Sequence, residues 1–70
     1  MKWLTFKLLR NQKALLYELK DRLAENQIKT SEDIWTVNNE YVALDYIPIG
    51  KQQRELADKI IEQFFIDYLW

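Results

Sequence analysis

Four carboxylates, Glu32, Asp33, Glu40 and Asp45, gather in the middle of the chain, with Tyr41 and Tyr46 among them. Paired carboxylates serve as acid and base in glycoside hydrolysis, and a phenol can donate a proton. Such chemistry needs a cleft that holds the substrate between two groups, and 70 residues leave little chain to wall one. No base accompanies either tyrosine, so the four carboxylates read as solubilising charge.

The absent residue types narrow the chemistry further. With no His there is no Ser-His-Asp triad, and the commonest metal ligand and general base is missing. With no Cys there is no catalytic thiol, zinc knuckle, iron–sulfur ligation or disulfide framework. A single Gly cannot build a phosphate-cradling loop. The sequence therefore predicts a protein that is not an enzyme and carries no cofactor or metal.

Charge is the next candidate carrier of function. The net charge of -1 argues against a general nucleic-acid binder and against an acidic DNA mimic. The balance is nevertheless uneven. Residues 1–20 hold Lys2, Lys7, Arg10, Lys13 and Lys20 against Glu18 alone, while the remainder is acidic. Lys2, Lys7, Arg10 and Lys13, interleaved with Trp3 and Phe6, form a candidate basic patch for single-stranded nucleic acid or an anionic membrane surface. The alternative is a solvated polar face that complements the acidic half.

Aromatic side chains are the third candidate. Ten aromatics in so short a chain, within a 49% hydrophobic composition, exclude an intrinsically disordered protein. No apolar run exceeds Ala14–Tyr17 or Tyr41–Leu44, far short of the ~20 residues a membrane span requires. Lys7, Arg10 and Lys13 interrupt any signal-like apolar region near the start. A cytoplasmic location is the expectation.

The elements that position these residues follow from periodicity. Residues 2–26 lack Pro and Gly, and Leu4, Leu8, Leu15, Leu19 and Leu23 share one stripe at helical period, which predicts one long N-terminal helix. The competing reading is a strand over the alternating Leu4, Phe6 and Leu8, with Asn11 capping a shorter helix from Gln12. Two β-like runs follow, Ile34–Val37 and Glu40–Ile47, and Asn38-Asn39 between them predicts a two-residue hairpin turn. That register opposes Trp35 to Val42 and places Trp35, Val37, Val42, Leu44 and Tyr46 on a core face. Pro48 ends the second strand, Gly50 serves as an N-cap, and a helix runs from Lys51 to about Leu69. The expectation is one small α+β domain over residues 1–70, ordered α-β-β-α.

Antiparallel helices over the hairpin would gather Trp3, Phe6, Phe64, Phe65, Tyr68 and Trp70 at one pole. Trp3, Phe6 and Leu9, and likewise Ile66, Leu69 and Trp70, lie off the main apolar stripes, and two helices and a hairpin cannot bury both sides of each helix. Large contiguous apolar patches mark interfaces, and Trp and Tyr are enriched in binding hot spots. The sequence therefore predicts a protein-binding module, whether adaptor, regulator or small inhibitor. Trp3, Phe6, Phe65, Tyr68, Leu69 and Trp70 form its contact, another protein is its partner, and the same helices form a homodimer.

Overall fold

Strand β1 (Leu4–Leu9) leads through a 3-10 turn at Arg10–Gln12 into helix α1 (Lys13–Glu25), in a computed structural model that describes residues 2–70. Strands β2 (Lys29–Thr30), β3 (Trp35–Val37) and β4 (Tyr41–Ile47) follow, then helix α2 (Gly50–Phe64), extended by a π-helical turn over Phe65–Leu69. The α+β class and the order helix, antiparallel strands, helix hold. Two further strands, β1 and β2, join the hairpin.

The long N-terminal helix does not form as one piece: residues 4–9 are extended and the helix starts at Lys13. The physical reason lies in the spacing. Residues four apart share a face in a helix and in a strand alike, so Leu4 and Leu8 fit both. Phe6 decides between them, because i and i+2 share a face only in a strand. The helix start also differs from the competing reading. Asn11 does not cap it; Gln12 occupies the cap position, and its Oε1 accepts the Leu9 N–H at 3.3 Å.

β4 is the centre of the sheet. β1 pairs along one edge of it, from Leu4 opposite Tyr46 to Leu9 opposite Tyr41. β2 and β3 share its other edge, with Lys29 opposite Ile47 and Trp35 opposite Ala43. Both β1 and β2 run antiparallel to β4 and hence parallel to each other on its two sides, and α1 is the crossover that carries the chain from one side of β4 to the other.

The hairpin register differs from expectation by one residue. The Asn38-Asn39 turn is present, with φ of 53° and 59° and the Glu40 N–H donating to the Val37 carbonyl at 3.1 Å. Val37 then opposes Tyr41 rather than Glu40, which makes Glu40 a bulge. Its carbonyl is turned toward β1, where it accepts the Arg10 N–H at 2.9 Å. One residue of slip exchanges faces. Trp35 therefore leaves the core face and stands 40% exposed, and Thr36 takes its place opposite Val42.

The core lies between one sheet face and the two helices. Leu8, Val42, Leu44 and Tyr46 supply the sheet side, Leu16, Leu19 and Leu23 the α1 side, and Ala57 and Phe64 the α2 side. Ile28, fully covered, closes the end where α1 turns into β2. α2 begins at Gly50 itself, one residue earlier than expected. Gly50 adopts φ +79°, and Gln53 Oε1 accepts the preceding Ile49 N–H at 2.8 Å. No helix among the described residues is long and apolar enough to cross a membrane.

Candidate interaction site

Alternation along β1 sends Leu4, Phe6 and Leu8 to the helix-covered side and Thr5, Lys7 and Leu9 to the other. Phe6 consequently meets the end of α2. Its ring lies 6.2 Å from Phe64 and 5.5 Å from Phe65, both edge-on, and Phe64 in turn lies 5.3 Å from Tyr68. Edge-to-face pairs at these separations add to the burial energy of the rings.

A groove of about 800 Å³ opens beside this stack. Phe6 and Tyr46 of the sheet form one wall, and Ile61, Phe65, Ile66 and Trp70 form the other. Phe65 is 42% exposed, Ile66 52% and Trp70 100%, so it is a surface groove rather than a closed cavity. Asp58 and Glu62, one turn apart on α2, bring two carboxylates to it. Tyr46 shows the effect: burial raises its phenol pKa above the ordinary value, and the Asp58 charge raises it further against the opposing pull of Arg54.

The end of α2 is fastened to α1 by Arg22. Its Nη1 donates to Asp67 Oδ2 at 2.9 Å and its Nε to Glu18 Oε1 at 3.3 Å, while the guanidinium carbon sits 5.2 Å from the centre of the Tyr68 ring. Gln63 Nε2 donates to the other Asp67 oxygen at 2.9 Å. The Gln63 bond, and after it the Arg22 bond, hold the Asp67 carboxyl below its ordinary pKa; Asp67 is the main cause of the raised Arg22 pKa. Tyr68 is thus engaged within the chain.

The structure gathers Phe6, Phe65, Tyr68 and Trp70 at one pole, as the sequence suggested, and seats Leu69 against the core, partly buried. Trp3 stands apart from them. As a strand neighbour three residues from Phe6 it falls on the opposite sheet face, where Lys29 Nζ lies 5.9 Å from its ring centre. The groove residues that the predicted contact lacked are Tyr46, Asp58, Ile61, Glu62 and Ile66, of which the sequence placed Ile66 only off the main apolar stripe. The i, i+4 spacing of Asp58, Glu62 and Ile66, with Ile61 and Phe65 in the adjacent row, was the available signal.

The basic residues do not converge. Lys2 lies beside Pro48, Lys51 and Arg54 at the start of α2, Lys7 is on the open sheet face, and Arg10 borders Glu40 at the far end of β1. Lys13 opens α1. With residues 4–9 in a strand, the four do not form one face of an amphipathic helix. Among the carboxylates around the hairpin, Asp45 accepts the Thr5 hydroxyl at 2.7 Å, and no acidic group of three or more that could hold a metal occurs among the described residues.

The open sheet face is the second exposed apolar surface. Trp35 and Tyr41 are 40% and 39% exposed there, and Leu9 51%. Lys7 stands beside Ala43 in the middle of this face, and both helices pack on the other side. No known family model, curated protein or solved structure matches the chain.

Proposed function

We propose that the protein is a non-enzymatic binding module whose contact is the groove between Phe6 and the end of α2, and whose partner is another protein. The observation that carries this reading is an open apolar trough flanked by two carboxylates. A soluble surface that leaves Phe65, Ile66 and Trp70 in water has gained nothing by it unless something covers them. Asp58 and Glu62 set the chemistry of the occupant: a short segment that inserts large apolar side chains and places Lys or Arg beside them.

Selection from a random displayed peptide library tests this. Peptides enriched by the wild-type protein should carry two or more large apolar residues with net positive charge. A Phe65→Asp variant, checked for unchanged circular dichroism, should not retain them. Enrichment that is indifferent to this substitution removes the groove as the contact.

A second reading rests on the open sheet face. Trp3, Trp35 and Tyr41 with Lys7 and Lys29 are the components of a stacking platform for single-stranded nucleic acid. Titration with a labelled oligonucleotide at rising salt separates the two. Phosphate binding weakens steeply with salt, whereas peptide held by apolar anchors responds little.

A further inference from the structure

β1 is an edge strand of six residues whose far side no described strand pairs with. Arg10 donates its N–H to Glu40 on β4, and the β1–β4 register opposes these two residues. In an antiparallel pair, hydrogen-bonded and non-hydrogen-bonded positions alternate. Leu4, Phe6 and Leu8 therefore turn their N–H and C=O toward β4, and Trp3, Thr5, Lys7 and Leu9 turn theirs to the open edge. The Leu9 N–H confirms the parity, because it is taken by the Gln12 side chain and not by β4. Thr5 and Lys7, both exposed, leave two donors and two acceptors facing outward.

We infer that a second copy of this chain docks on that edge, β1 against β1, antiparallel, with Phe6 of each copy on the two-fold axis. Self-complementarity selects the occupant and the register. Centring the axis on Lys7 sets two ammonium groups opposite each other, which is unfavourable. Centring it on Thr5 leaves Leu8 and Leu9 beyond the paired region. Centring it on Phe6 uses the whole strand. Thr5 then faces Lys7 of the second copy in a hydrogen-bonded pair, Leu4 faces Leu8, and Trp3 faces Leu9 on the open sheet face. Trp3 and Leu9, 40% and 51% exposed in the single chain, thereby cover each other. One isologous interface joins the two sheets into a continuous one. A stable dimer of ordinary size buries about 800 Å² per partner. That is about one sixth of the 5068 Å² this chain exposes, so the Trp3 and Leu9 contacts must add to the strand pairing.

This inference goes beyond the groove reading and does not depend on it. A Lys7→Pro variant removes an outward-facing N–H and leaves every groove residue in place, whereas Phe65→Asp spoils the groove and leaves the backbone edge. Pro is tolerated at edge positions whose N–H faces solvent.

Sedimentation of the full chain over micromolar concentrations is the first measurement. The wild type should dimerise, and Lys7→Pro should raise the dimer Kd about tenfold or more while helical circular dichroism persists. Cysteine cross-linking then reads the register, since the chain has no Cys of its own. Trp3→Cys and Leu9→Cys are made as separate chains and mixed under mild oxidation. Opposed residues lie about 5.5 Å apart at Cα, within disulfide range. The mixed disulfide should dominate over either homodimer, and this readout stands even if Lys7→Pro fails to fold. A wild-type chain that is monomeric at ~100 μM overturns the inference, as does a dimer that cross-links statistically or not at all.

Discussion

Leu4–Leu9 and Phe64–Trp70 both deliver large apolar side chains to the pole where Phe6 meets Phe65, yet different forces hold them there. β1 is fixed by a six-residue ladder to the central strand, so its backbone cannot move without opening the sheet. The end of α2 has no such backbone ladder to its neighbours. It is held by the buried ring of Phe64, by the stack that ring makes with Phe6, Phe65 and Tyr68, and by Arg22 on Asp67. The first segment presents a rigid wall and an open backbone edge. The second presents exposed side chains on a helical turn held by side-chain contacts. The proposed groove contact draws on side chains of both segments, whereas the open edge of β1 offers backbone groups to a partner strand of fixed register.

Phe64 is the joint between the two regions, and its removal should have the largest effect. It is the largest of the fully covered side chains, so Phe64→Ala should cost about 3–5 kcal/mol, a large part of the ~5–15 kcal/mol that a domain of this kind possesses. Urea titration should show the variant largely unfolded or barely folded. Trp35→Ala, on the open sheet face, should cost about 1 kcal/mol or less. A Trp35 variant as damaged as the Phe64 variant would mean that the hairpin lacks the bulge at Glu40 and that Trp35 faces the core.

The same two regions show how much was legible in the sequence. α2 was readable almost in full, because its apolar residues at helical spacing admit no other period and Gly50 and Pro48 mark its start. β1 was not, because Leu4 and Leu8 satisfy two periods and the stripe continues in phase into α1. The aromatic pole at Phe6, Phe65, Tyr68 and Trp70 was legible despite that error, since Phe6 reaches α2 from a strand as well as from a helix. Trp3 was misplaced for the same reason: three residues of strand reverse a face that three residues of helix nearly preserve. The turn at Asn38-Asn39 was read correctly, but the bulge after it goes with the bond from Arg10, in the turn after β1, to the Glu40 carbonyl, which no local pattern reveals. Arg22 was invisible as a clamp because Asp67 lies 45 residues away.

A smaller effect is expected from removing the Arg22 clamp alone. Arg22→Met removes the hydrogen bonds to Asp67 and Glu18 while keeping an unbranched apolar side chain of similar length. Amide exchange over residues 65–70 should accelerate, while exchange in β1 and β4 stays unchanged and the melting temperature falls only slightly. The contact also predicts a pH dependence. The Asp67 pKa is lowered in the folded protein, so its stabilising share is complete above the ordinary carboxylate value and is lost as pH falls through the lowered one. The difference in exchange between wild type and Arg22→Met should therefore shrink in acid. Equal protection of the helix end in the two proteins at neutral pH would show that the phenylalanine stack holds the segment without the arginine.

Deleting Trp70 should have the smallest effect on stability and yet a clear one on binding, which separates holding the groove together from using it. The side chain is fully exposed, so no buried contact is lost and the melting curve should match that of the full chain within about 0.5 kcal/mol. Its indole nevertheless stands on the groove wall next to Phe65 and Ile66. Tryptophan is the residue most enriched among binding hot spots, and an occupant that covers the groove would desolvate this one. Peptides selected on the wild type should accordingly bind the shortened chain about tenfold more weakly, a loss of roughly 1.4 kcal/mol. The loss should appear mainly in the dissociation rate, because the Asp58 and Glu62 charges that steer a basic segment toward the groove remain. Unchanged affinity would confine the contact to Phe6, Ile61 and Phe65. A lowered melting temperature would instead show Trp70 folded against the chain, and the groove would then be narrower than its present walls make it.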